Sequence, residues 1–156
     1  MNICGYENTD LINGDGVRTS LWVSGCSHKC KGCFNKKFWS YTSGKLYTEE
    51  DQEKLLADLS RPFIKGLSVL GGEPLDSENI EFVIDILNSV RKKFGGSKDI
   101  YLWTGYTFEN IPEEIKILTD VIIDGKFEKD NPTEKKFRGS DNQRLWRKTP
   151  DGWEVD

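Results

Sequence analysis

The sequence predicts an α/β fold of the incomplete (β/α) barrel kind, an open, curved, mostly parallel sheet flanked by helices. Three observations predict it. Short runs rich in β-branched and aromatic residues alternate with longer runs of helical periodicity, the rhythm of successive βα units. The chain has 156 residues, whereas a complete eight-unit barrel takes about 250; at about 30 residues per βαβ unit there is room for roughly five steps. Glycine-rich or polar segments follow directly on predicted strands, where parallel folds gather their chemistry.

Taken in order, "VRTSLWVS" (17–24) is rich in strand formers and runs into a cysteine loop. "TEEDQEKLLADL" (48–59) reads as a helix, with Thr48 as N-cap and acids in the first turn, where the helix dipole favours them. "GLSVL" (66–70) is a short buried strand that ends in "GGEP". The strongest helix spans 78–94, where Ile80, Val83, Ile84, Leu87, Val90 and Phe94 share one face. Strand "DIYLW" (99–103), a short helix near 112–118 and strand "VIID" (121–124) complete the pattern. The cysteine loop, "GGEP", "TGY" after Trp103 and "DGKF" after Ile123 therefore begin where strands stop. Four loops on one rim predict one site.

The composition narrows the function. One domain over 1–156 is long enough to bury a core without disulfides. Charged residues make up 31% and aromatics 12%, with a net charge of −4; that balance suits a globular protein and argues against a nucleic-acid binder. No apolar run reaches the length of a membrane span and no leader is evident, so the expected location is the cytoplasm. Thiols stay reduced there, and clustered cysteines point to metal or redox chemistry.

Three of the four cysteines stand in nine residues, "GCSHKCKGC" (25–33). Cys26, Cys30 and Cys33 give C-x3-C-x2-C. They are open to four readings: free buried thiols, a zinc site completed by the lone histidine His28 or by Cys4, a four-cysteine electron-transfer cluster closed by Cys4, or a cubane iron–sulfur cluster with one iron left open. The spacing of His28 between Cys26 and Cys30 is unlike the usual zinc patterns.

C-x3-C-x2-C resembles the hallmark of the radical S-adenosylmethionine superfamily. The stretch "GDGVRTSLWVSGCSHKCKGCFN", followed by "GGEPL" (71–75), "WTGY" (103–106), "IIDGKF" (122–127) and "RGSDNQR" (138–144), is similar to the activating proteins of anaerobic ribonucleoside-triphosphate reductases. Gly32 stands where most of the superfamily has an aromatic, and Asp15 where this subgroup more often has proline.

The resemblance implies a 4Fe-4S cluster on Cys26, Cys30 and Cys33, with S-adenosylmethionine chelating the fourth iron through its amino and carboxylate groups. Reductive cleavage would give a 5′-deoxyadenosyl radical, used to make a glycyl radical on the large reductase subunit. It implies that Gly71, Gly72 and Glu73 receive the amino group, the Glu73 carboxylate accepting from the ammonium. Gly32 and Phe34 would contact the adenine, and Asp124, Thr104 and Gly105 the methionyl end. Read without the resemblance, "GGEP" and "DG" are ordinary turns. His28 reads as a loop residue and Cys4 as a bystander. "RGSDNQR" is expected either to complete the site or to meet the partner. Lys29, Lys31, Lys36 and Lys37 crowd the loop and would steer an acidic, flavodoxin-like electron donor. An unclosed barrel also leaves a wide mouth for a partner's loop. The competing functions are an activase of a formate-lyase type of glycyl-radical enzyme and a zinc-stabilised binding module.

Overall fold

The computed structural model of the chain describes residues 1–33 and 36–156. The strands are β1 (Asn2–Asp10), β2 (Arg18–Val23), β3 (Lys45–Leu46), β4 (Gly66–Gly71), β5 (Asp99–Trp103), β6 (Val121–Asp124), β7 (Arg144–Thr149) and β8 (Gly152–Val155). The helices are α1 (Glu49–Leu59), α2 (Ile80–Phe94) and α3 (Glu113–Leu118). All strands join one eight-stranded sheet in the order β3-β1-β2-β4-β5-β6-β7-β8.

The α/β class holds, but the sheet is mixed rather than mostly parallel. β2, β4, β5 and β6 pair in parallel, giving three parallel contacts. The other four pairings, β1 with β2 and β3, and β7 with β6 and β8, are antiparallel. Both flanks lack the signals that expose a parallel strand. β1 is polar and half exposed along most of its length. β7 and β8 form a hairpin closed across Thr149 and Gly152, whose Pro-Asp-Gly turn is a recognised hairpin signal in an otherwise polar tail.

Each predicted parallel-core element is present. α1 starts where Thr48 closes a capping box: its hydroxyl accepts from Asp51 N at 3.2 Å, and Asp51 Oδ2 accepts from Thr48 N at 2.9 Å. That satisfies two of the N–H groups that a helix start leaves orphaned. α2 begins two residues later than expected, after a turn at 76–79, and buries Val83, Ile86, Leu87 and Val90. β5 and β6 have the expected limits.

Because side chains alternate along a strand, the sheet has two unlike faces. Leu21, Val23, Leu67, Val69, Ile100, Leu102 and Ile122 meet the buried side chains of the three helices in one core. The intervening residues form the opposite face, where Tyr101, Val121, Ile123 and Leu145 cluster with Trp103 and Phe137. At the foot of that face Arg18, fully buried, donates to Ser68 Oγ at 2.7 Å and lies 4.2 Å over the Tyr101 ring. Among the described residues no helix is long and apolar enough to cross a membrane.

Candidate functional site

At the carboxyl ends of β2, β4, β5 and β6, the four rim loops line one cavity of about 400 Å³. Cys26, Cys30 and Cys33 come from the first loop; Gly71, Gly72 and Glu73 from the second; Thr104 and Gly105 from the third; Gly125, Lys126 and Phe127 from the fourth. Trp22, Leu70, Trp103 and Phe137 supply an apolar wall.

The glycines between β4 and Glu73 are required by a close crossing. A Cβ on Gly71 would overlap the backbone of Val23, and one on Gly72 the carbonyl of Gly25. Gly72 N donates to Val23 O at 2.9 Å and Glu73 N to Gly25 O at 2.6 Å. The two loops thus meet main chain to main chain, which only residues without side chains permit.

The cysteine loop is then turned inward. Lys29 adopts a left-handed conformation with φ 50°. The N–H groups of His28 and Lys29 donate to the Cys26 sulfur, and Phe127 N–H donates to that of Cys30. Burial raises the Cys26 thiol to about 11 and is the largest influence on it; those two N–H groups act to lower it, and the Glu73 and Asp76 charges to raise it. Burial also raises Cys30, with the Phe127 N–H opposing. The described cysteines form no disulfide.

Two carboxylates behind the loop fix its shape. Asp76, 2% exposed, accepts from Ser27 N at 2.8 Å, Ser27 Oγ at 2.7 Å, Tyr41 OH at 2.6 Å and Tyr106 OH at 2.7 Å. Burial acts to raise its pKa, but these bonds prevail and hold it below the ordinary carboxylate range. Glu73, 1% exposed, accepts from His28 Nε2 and Gly105 N on one oxygen, and from Leu75 N and Thr104 Oγ1 on the other. Asp76 and His28 escaped the sequence reading as anchors. The usable signal was a second acid three residues after Glu73, in the turn between a strand and a helix.

Other expected residues fall elsewhere. Asp124 does not line this cavity. Period-two alternation puts Ile123 and Gly125 towards it and turns Asp124 to the helix side. There its buried carboxylate accepts from Phe108 N at 2.7 Å and from Arg144 Nη2 at 2.6 Å. Arg144 also binds Glu109, and the two carboxylates raise its pKa, Asp124 first. This group faces an adjoining cleft of about 530 Å³. Gly32 sits on an exposed turn with φ 73°, against the Lys129 side chain. Phe34 lies outside the described residues.

"RGSDNQR" acts as a brace. Gln143 Nε2 donates to Gly125 O at 2.9 Å, Asn142 Nδ2 to Lys126 O at 2.8 Å, and Glu128 N to Ser140 Oγ at 3.0 Å. The segment therefore holds the 125–128 turn, and Phe127 with it, against Cys30. Lys29, Lys31, Lys36 and Lys37 are exposed around the loop, joined by Lys126 and Lys129.

Residues 12–146 match the family model described as a 4Fe-4S single cluster domain. A protein of Enterobacteria phage T4 named anaerobic ribonucleoside-triphosphate reductase-activating protein is 47% identical over 157 aligned residues, covering 100% of both chains. Proteins of the same name from Vibrio cholerae and Escherichia coli K12 are 42% and 37% identical, over 96% and 92% of this chain and 99% and 96% of theirs. The chain belongs to this activating-protein family.

The cavity fits the cluster that the family model describes. Among the described residues no three His, Cys, Asp or Glu side chains converge as a single metal ion requires. A 4Fe-4S cluster makes no such demand, since each thiolate binds a different iron. Three soft sulfur donors around a common cavity, two of them facing main-chain N–H groups, suit an iron–sulfur group. Of the other candidate ligands, Cys4 is outside the lining, its Sγ 2.7 Å from Ser24 Oγ, while His28 lines the cavity with Nε2 on Glu73.

Proposed function

We propose that this chain is a single-domain activase, residues 1–156, that cleaves S-adenosylmethionine at a 4Fe-4S cluster and generates a glycyl radical on the large subunit of an anaerobic ribonucleoside-triphosphate reductase. The observation that carries this reading is the cavity itself. It gathers three thiols and all four rim loops, while the remaining cysteine is outside its lining, beside Ser24. A cluster held here keeps one iron for a substrate.

When bound, the cluster would supply one electron to the sulfonium, so that the sulfur–C5′ bond would break to methionine and a 5′-deoxyadenosyl radical able to take a hydrogen atom from the partner's glycine. The protein's own tasks are positioning and exclusion of water. Cys26, Cys30 and Cys33 hold the cluster. The rim at Gly71, Gly72, Thr104 and Gly105 receives the methionyl end, and the contact with the adenine is assigned to Gly32 and Phe34. The wall of Trp22, Leu70, Trp103 and Phe137 keeps solvent from the radical. Asp124 acts at one remove, through Arg144, by holding the loops that border the rim. The exposed lysines around the loop form a docking edge for a flavodoxin-like acidic donor in the cytoplasm.

The test is anaerobic reconstitution followed by iron and sulfide analysis and EPR of the reduced protein with and without S-adenosylmethionine. A reduced-cluster signal that changes on adding the substrate, then a glycyl radical in the added reductase, is the expected result. Cleavage without any glycyl radical would overturn the assignment of the partner; zinc in place of iron would overturn the cluster.

A further inference from the structure

The Glu73 carboxylate has no lone pair to spare. An ionised carboxylate offers about four acceptor sites, and four donors from three segments occupy them. His28 Nε2 at 2.8 Å and Gly105 N at 2.7 Å bind Oε1; Leu75 N at 2.8 Å and Thr104 Oγ1 at 2.7 Å bind Oε2. The group is 1% exposed, and the His28 side chain 6%. Since the carboxylate only accepts, His28 Nε2 is the donor and the tautomer is fixed by that bond. His28 also packs edge-on against the Tyr106 ring at 4.6 Å. A side chain at Gly105 would strike the imidazole. Three residues further on, Asp76 is saturated in the same way by Ser27, Tyr41 and Tyr106. Two buried carboxylates therefore join the cysteine loop, through Ser27 and His28, to the loop after β5.

We infer that His28 and Glu73 are a positioning pair that couples the geometry of the cysteine loop to the rim receiving the substrate's amino-acid end, the saturated Glu73 carboxylate acting on that rim at one remove. The inference rests on the function proposed above and replaces the direct role expected for Glu73. His28 gains a task that its place between two cysteines did not disclose: it carries the state of the loop to Gly105 and Thr104, which line the cavity.

The experiment compares the full-length wild type with His28→Ala, His28→Gln, Glu73→Gln and the His28→Ala/Glu73→Gln double variant, each reconstituted anaerobically. The readout is the S-adenosylmethionine dissociation constant from the substrate-induced EPR change, normalised to iron content. His28→Ala is expected to bind about tenfold more weakly, the loss of one hydrogen bond to a charged group. Glutamine, whose amide nitrogen reaches the place of Nε2, restores most of the affinity, which a merely space-filling role would not produce. The double variant binds no more weakly than Glu73→Gln alone, because the pair acts as a unit. Wild-type affinity in His28→Ala, or additive losses in the double variant, would overturn the inference. The metal-free protein gives an independent readout: His28→Ala should speed amide hydrogen exchange at residues 104–106 and leave α2 unchanged. Unchanged exchange at 104–106 would overturn the pair even where iron loading fails. A wild type whose cluster signal ignores S-adenosylmethionine would sink the function itself, while the exchange measurement still decides the pair.

Discussion

The two faces of the sheet use the same strands and differ in alternate residues. Leu21, Val69 and Leu102 point to the helices, Trp22, Leu70 and Trp103 to the cavity. The first face has an aliphatic centre held by packing, with the Asp124–Arg144 pair at its edge. The second is built from aromatics, ion pairs and saturated carboxylates. Stability that depends on volume tolerates no lost methylenes but is indifferent to acid. Stability that depends on directed bonds fixes loops in one geometry and is sensitive to charge. The site stands on the second face because its loops need direction, and the first face supplies the rigidity behind it.

The largest effect that sharpens this contrast comes from Leu87, fully buried in α2. Leu87→Ala should cost about 3 kcal/mol in urea unfolding through transfer and cavity terms, with iron uptake per folded chain unchanged. Iron loss out of proportion to unfolding would show that the faces are not separable. Arg144→Ala should cost about 2 kcal/mol, because it leaves the Asp124 carboxylate buried without its cation, with only the backbone N–H groups of residues 108 and 144 as donors. Adding Asp124→Asn should recover part of that loss, and thermal unfolding of the three variants measures it.

The smallest expected effect concerns pH. Asp10 lies 5% exposed at the foot of the second face, accepting from Ser20 Oγ, Asn13 Nδ2 and Ile12 N. Burial acts to raise its pKa, but these bonds hold it below the ordinary value. A depressed carboxylate stabilises the fold above its unfolded pKa of about 4 and loses that contribution as pH falls through the lower folded value. Asp10→Asn should therefore cost about 1 kcal/mol at neutral pH, and the gap from the wild type should close below about pH 4. A gap constant with pH would mean that Asp10 acts through shape rather than charge.

Much of the parallel core was legible because its signals are local. The strands 99–103 and 121–124 are bounded by polar turns, and Thr48 announces α1. The cysteine spacing and the strand-end loops located the rim for the same reason. The β1 flank was not legible, since β1 has no apolar alternation and its pairing with β2 is decided at long range; of the β7–β8 flank only the Pro-Asp-Gly turn carried a local signal. The orientation of Asp124 was available from the alternation of "VIIDG" but ran against the residue's expected task. The engagement of Glu73 and His28 was not, because it depends on Thr104 and Gly105, some thirty residues away. "RGSDNQR" marked a functional segment by resemblance, yet only its bonds to Gly125 and Lys126 say what it does.

Asp76 has a thermodynamic consequence of its own. Restricting eight residues of loop, from Cys26 to Cys33, costs on the order of 10 kcal/mol of conformational entropy. Its four hydrogen bonds to Ser27, Tyr41 and Tyr106 tie that loop to segments folded for other reasons. Ordering the loop thus belongs to the folding of the whole chain, and the incoming iron and sulfide need not bear it. Metal affinity and fold stability then become two readings of one equilibrium, linked through a residue that touches no metal.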